Sequence, residues 1–268
     1  MARLTSCLAL MIVLAVGCST ERPAPVDETP RPAATPPVMA VRESYRVLET
    51  LPHDVGAFTQ GLVVHNGLFI ESTGQNGQST IRHVAIATGK VRRMERLEER
   101  YFGEGMTVLG GKAYMLTWLT QTGFVFDVNT LKQLSVFTYQ GEGWGLTNDG
   151  TNLIMSNGTN MLVVIDPTTN RVVRTVNVTL DGRPLPYLNE LEWIEGQIWA
   201  NIWRTNDIVR IDPTTGHVIG VIDCTGILPQ SAMTDATDVM NGIAYDSTSK
   251  AIYVTGKNWP HVYRIEAR

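Results

Sequence analysis

The chain has 268 residues, 43% of them hydrophobic, enough to bury the core of one large all-β domain or of two smaller ones. Its 22 basic and 26 acidic side chains give a net charge of −4 without any basic run, which excludes an electrostatic footprint for nucleic acid. The five histidines (His53, His65, His83, His217 and His261) are scattered, and no pair has the spacing of a zinc site, so no metal or other cofactor is expected.

Residues 1–17 read as an export signal. Arg3 supplies a positive start, and residues 8–16 form an apolar run too short to span a bilayer as a mature helix. The run ends in Leu14-Ala-Val-Gly-Cys18, which resembles a bacterial lipobox with Cys18 as the lipidated residue. Plain secretion is the alternative. By the same resemblance, Ser19 does not signal retention at the inner membrane. The expectation is therefore export to the periplasm and a lipid anchor in the outer membrane, the only membrane contact foreseen. Cys7 would leave with the signal, so Cys224 has no partner for a disulfide and is expected to be a buried apolar residue. Residues 18–42 hold prolines 23, 25, 30, 32, 36 and 37, and read as an extended tether.

From residue 43 to 268 the character changes to short alternating strands broken by Gly, Asn and Asp. Residues 44–51 form one strand with no repeat unit before it. A local phrase then recurs as Gln60-Gly61-Leu62, Glu104-Gly105-Met106, Trp144-Gly145-Leu146, Glu190-Leu191-Glu192 and Asn241-Gly242-Ile243, at steps of 44, 40, 46 and 51 residues. Strand-like units with a period in the forties are the signature of propeller blades. Each unit continues with a tight turn (Asn66-Gly67, Gly110-Gly111, Asp149-Gly150, Glu195-Gly196), a second strand, and a third that ends in Asp or Thr turns such as Asp166-Pro167 and Asp212-Pro213. Those aspartates are better explained as turn caps than as calcium ligands. The last unit has three strands, and strand 44–51 would supply its fourth, joining the two ends of the chain. The expected fold is all-β, a five-bladed β-propeller closed by this N-terminal strand joining the last blade. A closed ring needs no partner, so a monomer is expected.

In such a ring the five phrase positions would face one another at one end of the central channel. A second set, Thr73, Trp118, Asn157, Trp203 and Lys257, follows at the ends of the second strands. One site would then gather a carboxylate (Glu104, with Glu190 a further candidate), amides (Gln60, Asn157, Asn189, Asn201, Asn241), indoles and one ammonium. Amides and indole N–H groups suit neutral polar ligands and developing oxyanions. A carboxyl group among rings would have its pKa raised by desolvation, toward proton transfer near neutrality. Taken singly, each of these residues is as well explained by channel packing. The sequence holds no Ser/His/Asp arrangement for nucleophilic catalysis.

The motifs Phe58-Thr-Gln-Gly-Leu62, Tyr101-Phe-Gly-Glu-Gly105, Leu116-Thr-Trp118, Glu142-Gly-Trp-Gly-Leu146, Leu188-Asn-Glu-Leu-Glu192, Trp199-Ala-Asn-Ile-Trp203, Asn241-Gly-Ile-Ala244 and Thr255-Gly-Lys257 resemble those of the plant and bacterial glutaminyl-peptide cyclotransferases, over a stretch from about residue 45 to the end. The resemblance implies a five-bladed propeller that converts the N-terminal glutamine of peptides or proteins to pyroglutamate with release of ammonia, without a cofactor. It implies Glu104 and Gln60 as catalytic residues. Glu104 would be the acid/base, and Gln60, Asn189 and Lys257 would hold the amide oxygen. Phe58, Phe102, Trp118, Trp144 and Trp203 would line the pocket. Asn157 stands where the family commonly carries Asp, which removes a charge there. The alternatives are a non-catalytic peptide-binding propeller at the cell envelope and a metal-dependent hydrolase, the latter short of carboxylates.

Overall fold

The structure, a computed structural model, describes residues 39–268; the expected export signal, Cys18 and most of the proline-rich tether lie outside the described residues. The repeat units fold as five sheets of four antiparallel strands each, counted from the channel outward. The first blade is Thr59–His65, Leu68–Thr73, Thr80–Ala85 and Val91–Arg96, and the second Gly103–Leu109, Lys112–Thr117, Thr122–Asp127 and Gln133–Thr138. The third is Leu146–Asn148, Leu153–Met155, Met161–Asp166 and Arg171–Asn177, and the fourth Leu188–Ile194, Gln197–Ile202, Asp207–Ile211 and Val218–Asp223. In the fifth, Met240–Asp246, Ala251–Gly256 and His261–Ala267 are followed by Tyr45–Pro52, which pairs antiparallel with His261–Ala267 and sets Leu51 opposite Val262.

The strands alternate in sequence, and both faces of the inner strands are apolar because each face meets a different neighbour. In the first blade Ile70 and Ile81 face the second blade, packing with Met106 and Met115, while Phe69 and Val84 face the fifth, packing with Tyr253 and Val262. Separate clusters likewise fill the remaining seams, around Leu116 and Met155, Ile154 and Ile198, and Ile208 and Ile243. With every seam filled, the fifth blade packing on the first included, the five blades form a ring.

The glycines of the repeated phrase follow from this crowding. A Cβ on Gly61 would lie 2.5 Å from the Met106 amide nitrogen, and one on Gly105 2.5 Å from the Trp144 carbonyl oxygen. The innermost strands approach so closely only because those positions lack side chains. The turn aspartates cap backbone: Asp127 accepts from the amides of Asn129 and Thr130 at 3.1 and 2.8 Å, and Asp212 from that of Thr214 at 2.7 Å. Cys224 is buried, and burial pushes its thiol up to about 12.

The seam between the last and first blades also carries a buried ionic cluster. His53 Nε2 meets Glu71 Oε1 at 2.9 Å, Arg82 Nε donates to Glu71 Oε2 at 2.9 Å, and Arg82 also reaches Asp54 at 2.8 Å. His53 Nδ1 lies 2.8 Å from the Trp259 carbonyl of the fifth blade.

Two elements depart from the sequence reading. Val41–Glu43 is a strand, parallel to Val218–Asp223 with Arg42 opposite Val221, although residues up to 42 read as tether. The prolines stop at 37, so the amides beyond are free to pair. Between the third and fourth blades, Thr179–Leu180 and Arg183–Pro184 form a small hairpin around Asp181 and Gly182, both at positive φ. Asp-Gly is the signature of that turn. Asp181 in turn accepts from the Ala40 amide at 2.9 Å.

Candidate active site

The pairing registers place the site residues. In blades one, two, four and five the innermost strand carries an irregularity near its start: Thr59 pairs with Thr73, Gly103 with Thr117, Leu188 with Ile202 and Met240 with Gly256, before regular pairing resumes. A bulge of this kind re-aims a side chain. Counting from these pairs, Gln60, Glu104, Asn189 and Asn241 are equivalent, with Trp144 the counterpart in the third blade. The following position holds Gly61, Gly105, Gly145, Glu190 and Gly242. The ring member in the fourth blade is therefore Asn189, and Glu190 stands where every other blade has glycine. The repeat phrase read from Glu190 is thus one residue out of register in this blade.

The same slip affects the second ring. Amides of Gly74, Trp118, Trp203 and Lys257 donate to the carbonyls of Phe58, Phe102, Tyr187 and Val239, all within 2.8–3.0 Å, which makes those four equivalent. Gly158 matches Trp118 in the third blade, because Gly143 donates to Trp118 as Tyr187 does to Gly158. Thr73 and Asn157, expected in this ring, stand one residue short. Thr73 turns into its own sheet to bond Thr80 at 2.7 Å, and Asn157 caps the Thr159 amide at 3.2 Å. The glycines make room for rings: a side chain on Gly74 would collide with Phe102, and one on Gly158 would lie 2.6 Å from Trp144.

At this end of the channel lies a cavity of about 300 Å³. All nine expected pocket residues line it: Phe58, Gln60, Phe102, Glu104, Trp118, Trp144, Asn189, Trp203 and Lys257. Arg204 and Asp238, missed in the sequence, line it too. Phe58 packs edge-on to Phe102 at 6.0 Å and Phe102 to Trp118 at 5.7 Å, while Trp144 meets Trp203 at 5.5 Å. The Arg204 guanidinium lies 4.2 Å over the Trp203 ring, and the Lys257 ammonium 4.8 Å from the Phe58 centroid.

Glu104 is buried at the base of this enclosure and accepts from Gln60 Nε2 at 2.9 Å. Gln60 is held by Asn241, whose Nδ2 donates to the Gln60 Oε1 at 3.3 Å and to the Thr59 carbonyl at 2.9 Å. Burial pushes the Glu104 carboxyl well above the usual range; the Lys257 charge opposes this and Glu142 adds to it. Burial lowers the Lys257 ammonium, with Glu104 and Asp238 holding it up. An acid and a base thus share one pocket, each displaced toward neutrality.

Three expected contributors are used elsewhere. Glu190 accepts the amides of Leu62 at 3.3 Å and Ile243 at 2.8 Å, bridging the first and fifth blades, and does not line the cavity. Asn201 accepts the Gly242 amide at 3.0 Å, and Asn241 holds Gln60. The indole N–H groups of Trp118 and Trp144 donate to Glu142 at 2.7 and 2.9 Å, so they are not free for an oxyanion.

Known proteins resemble this chain. A glutaminyl-peptide cyclotransferase of Arabidopsis thaliana is 42% identical over 228 residues, 83% of this chain and 71% of its own. The crystal structure of Myxococcus xanthus glutaminyl cyclase superposes with a TM-score of 0.79 at 37% identity, covering 85% of this chain and 98% of that one. The family model described as glutamine cyclotransferase matches residues 11–267, and this chain belongs to that family.

Proposed function

We propose that the cavity cyclises N-terminal glutamine of peptides and proteins to pyroglutamate, as a glutaminyl-peptide cyclotransferase, an acyltransferase. The observation that carries this is a single desolvated carboxyl group, Glu104, beside an ammonium and two amides in an enclosure walled by rings. The α-amine of the substrate attacks the carboxamide carbon of its own side chain. The new C–N bond forms, the bond to the amide nitrogen breaks, and ammonia leaves. Glu104 takes the proton released by the attacking amine and returns it to the departing nitrogen. An α-amino pKa of about 8 leaves little deprotonation to assist. Gln60 holds the carboxyl group in place, and Asn189 and Lys257 stabilise the amide oxygen as it gains charge. The rings hold the folded-back conformer, which is where an intramolecular reaction gains most. The reaction as written balances with these side chains alone.

Ammonia release from a glutaminyl dipeptide, measured with and without chelator, tests this. The wild type releases ammonia in both conditions and Glu104→Gln is slower by roughly 10²–10⁴-fold, the range for a lost general acid/base. Absence of release from any glutaminyl peptide would leave a binding propeller, and loss of activity with chelator would restore a metal.

The substrates proposed are exported polypeptides, reached by a monomeric propeller anchored through Cys18. Arg3, the apolar run 8–16 and the lipobox-like residues 14–18 support this. Lipid labelling in a bacterial host checks it: the wild type takes up fatty acid and fractionates with the outer membrane, whereas Cys18→Ala takes up none.

A further inference from the structure

Two residues before each member of the inner ring stand Phe58, Phe102, Glu142, Tyr187 and Val239. Four of these are apolar or aromatic, and Phe58 and Phe102 wall the cavity. The third blade alone puts a carboxylate there. Its Oε2 accepts both indole N–H groups, Trp118 at 2.7 Å from the second blade and Trp144 at 2.9 Å from the third. Charge-assisted bonds of this kind are about twice as strong as neutral ones. Trp118 is 38% exposed and has little packing of its own to fix it beyond the edge of Phe102. Glu142 is itself half-buried, tied to the wall by those two bonds.

We propose that Glu142 is a positioning residue of the reaction: it fixes the two indole walls against which the substrate folds back, and from there its charge acts on Glu104. The second part rests on Glu104 acting as the proton shuttle. The charged groups acting on Glu104 are Lys257 from the fifth blade and Glu142 from the connection between the second and third. Asp238 acts in turn on Lys257, and the nearby Tyr139 hydroxyl is occupied by the Thr117 carbonyl. Lys257 draws the Glu104 carboxyl down and Glu142 raises it, so Glu142 keeps the shuttle protonatable at a higher pH than Lys257 alone would allow.

The test compares Glu142→Gln and Glu142→Ala with the wild type in kcat/KM against pH on a glutaminyl peptide, with near-ultraviolet circular dichroism as the report on the indoles. A glutamine keeps an acceptor oxygen for the indoles but no charge. Its plateau activity is expected to stay within a few-fold, while the acid limb moves to lower pH because Glu104 then gives up its proton more readily. Substrate amine titration is common to both enzymes, so the difference between profiles reports the enzyme. Alanine removes the acceptor as well; it is expected to lose roughly 10–100-fold, as displaced walls do, and to change the indole dichroism. An alanine variant within twofold of wild type, or an acid limb unmoved in Glu142→Gln, would overturn the proposal. If the alanine variant does not fold, the limb of Glu142→Gln decides alone. Should Glu104→Gln retain activity, the proton-shuttle reading fails instead, and the alanine variant still judges the clamp.

Discussion

Glu104 and Glu190 are both buried glutamates at the channel end of an innermost strand, in the second and fourth blades, and burial raises the carboxyl group of both. Their sequence contexts, Glu104-Gly105 and Glu190-Leu191, look like the same repeat position. They differ in what they touch. Glu104 has a side-chain amide, an ammonium across the pocket and a cavity beside it. Glu190 spends both oxygens on backbone amides of two other blades. The difference is one residue of register: Glu104 sits on the ring that opens to the cavity, and Glu190 on the ring of glycines beneath it. A raised carboxyl pKa therefore does not by itself tell the two apart; the cavity beside Glu104 does.

The sharpest way to break this comparison is to neutralise both residues identically and read activity and stability together. Glu104→Gln, already expected to lose several orders of magnitude in rate, should unfold at the same temperature as the wild type or above, because an uncharged amide suits a dry site. Glu190→Gln should behave the other way. A carboxamide has one acceptor oxygen, so either the Leu62 or the Ile243 amide faces an NH₂ group. The expected cost is about 1–3 kcal/mol of stability, read by denaturant unfolding, with kcat/KM changed only a few-fold. If Glu190→Gln abolished catalysis in a protein of unchanged stability, the division of roles would be wrong.

Glu71 sharpens the contrast from a third side. It is as buried as the other two, and burial alone would raise it, but Arg82 and His53 overcome this and hold it at about 2. Its contribution is fully present above the unfolded value of 4.5 and is lost as pH falls through about 2. His53 runs the opposite way: burial would lower it, but Glu71 and the Trp259 carbonyl together raise it, so its share is present below its unfolded value of 6.5 and is lost as pH rises through the folded one. Glu71→Gln leaves Arg82 with only the half-exposed Asp54 in the seam between the first and last blades, and leaves burial to drive the His53 ring neutral. A loss of about 3–5 kcal/mol is expected at neutral pH. An unfolding midpoint unchanged between pH 3 and 7 in both the wild type and the variant would contradict this account.

Much of this was legible in the sequence. The period in the forties, the Gly turns and the alternating strands give the blade count, because each blade is a local unit and its hairpins are encoded locally. The pocket residues were legible where strand starts are marked, as at Gln60, Glu104 and Trp144. What the sequence did not disclose is the bulge, which adds one residue at the start of an inner strand without any composition signal. Glu190 reads one step off because its carboxylate matches Glu104 in type, and Thr73 and Asn157 because the glycines that follow them carry no side chain to read. The signal that would have corrected two of them is glycine: Gly74 and Gly158 stand at the ring because Phe102 and Trp144 leave no room for a side chain. The role of Glu142 was illegible for another reason. It depends on Trp118, 24 residues away, arriving from a different blade.

The smallest effect on activity belongs to Glu192, two residues beyond Glu190 on the same strand face, and it separates burial from bracing. Burial raises its carboxyl to about 8, with the Tyr245 amide, 3.0 Å away, pulling the other way. In the unfolded chain the same group ionises near 4.5. Below that value folded and unfolded forms are both neutral, and the contribution to stability is at its fullest. As pH rises from about 4.5 to about 8 the unfolded state gains charge that the folded state refuses, and stability falls by roughly 1.4 kcal/mol per pH unit from this group alone. Glu192→Gln keeps one acceptor for Tyr245 and removes the titration. The variant should match the wild type near pH 4 and become progressively more stable than it toward pH 8, with activity unchanged. Denaturant midpoints of both proteins at pH 4, 6 and 8 measure this. A constant difference across the three would mean that Glu192 titrates alike in both states, and that the channel below the glycine ring is wetter than its packing implies.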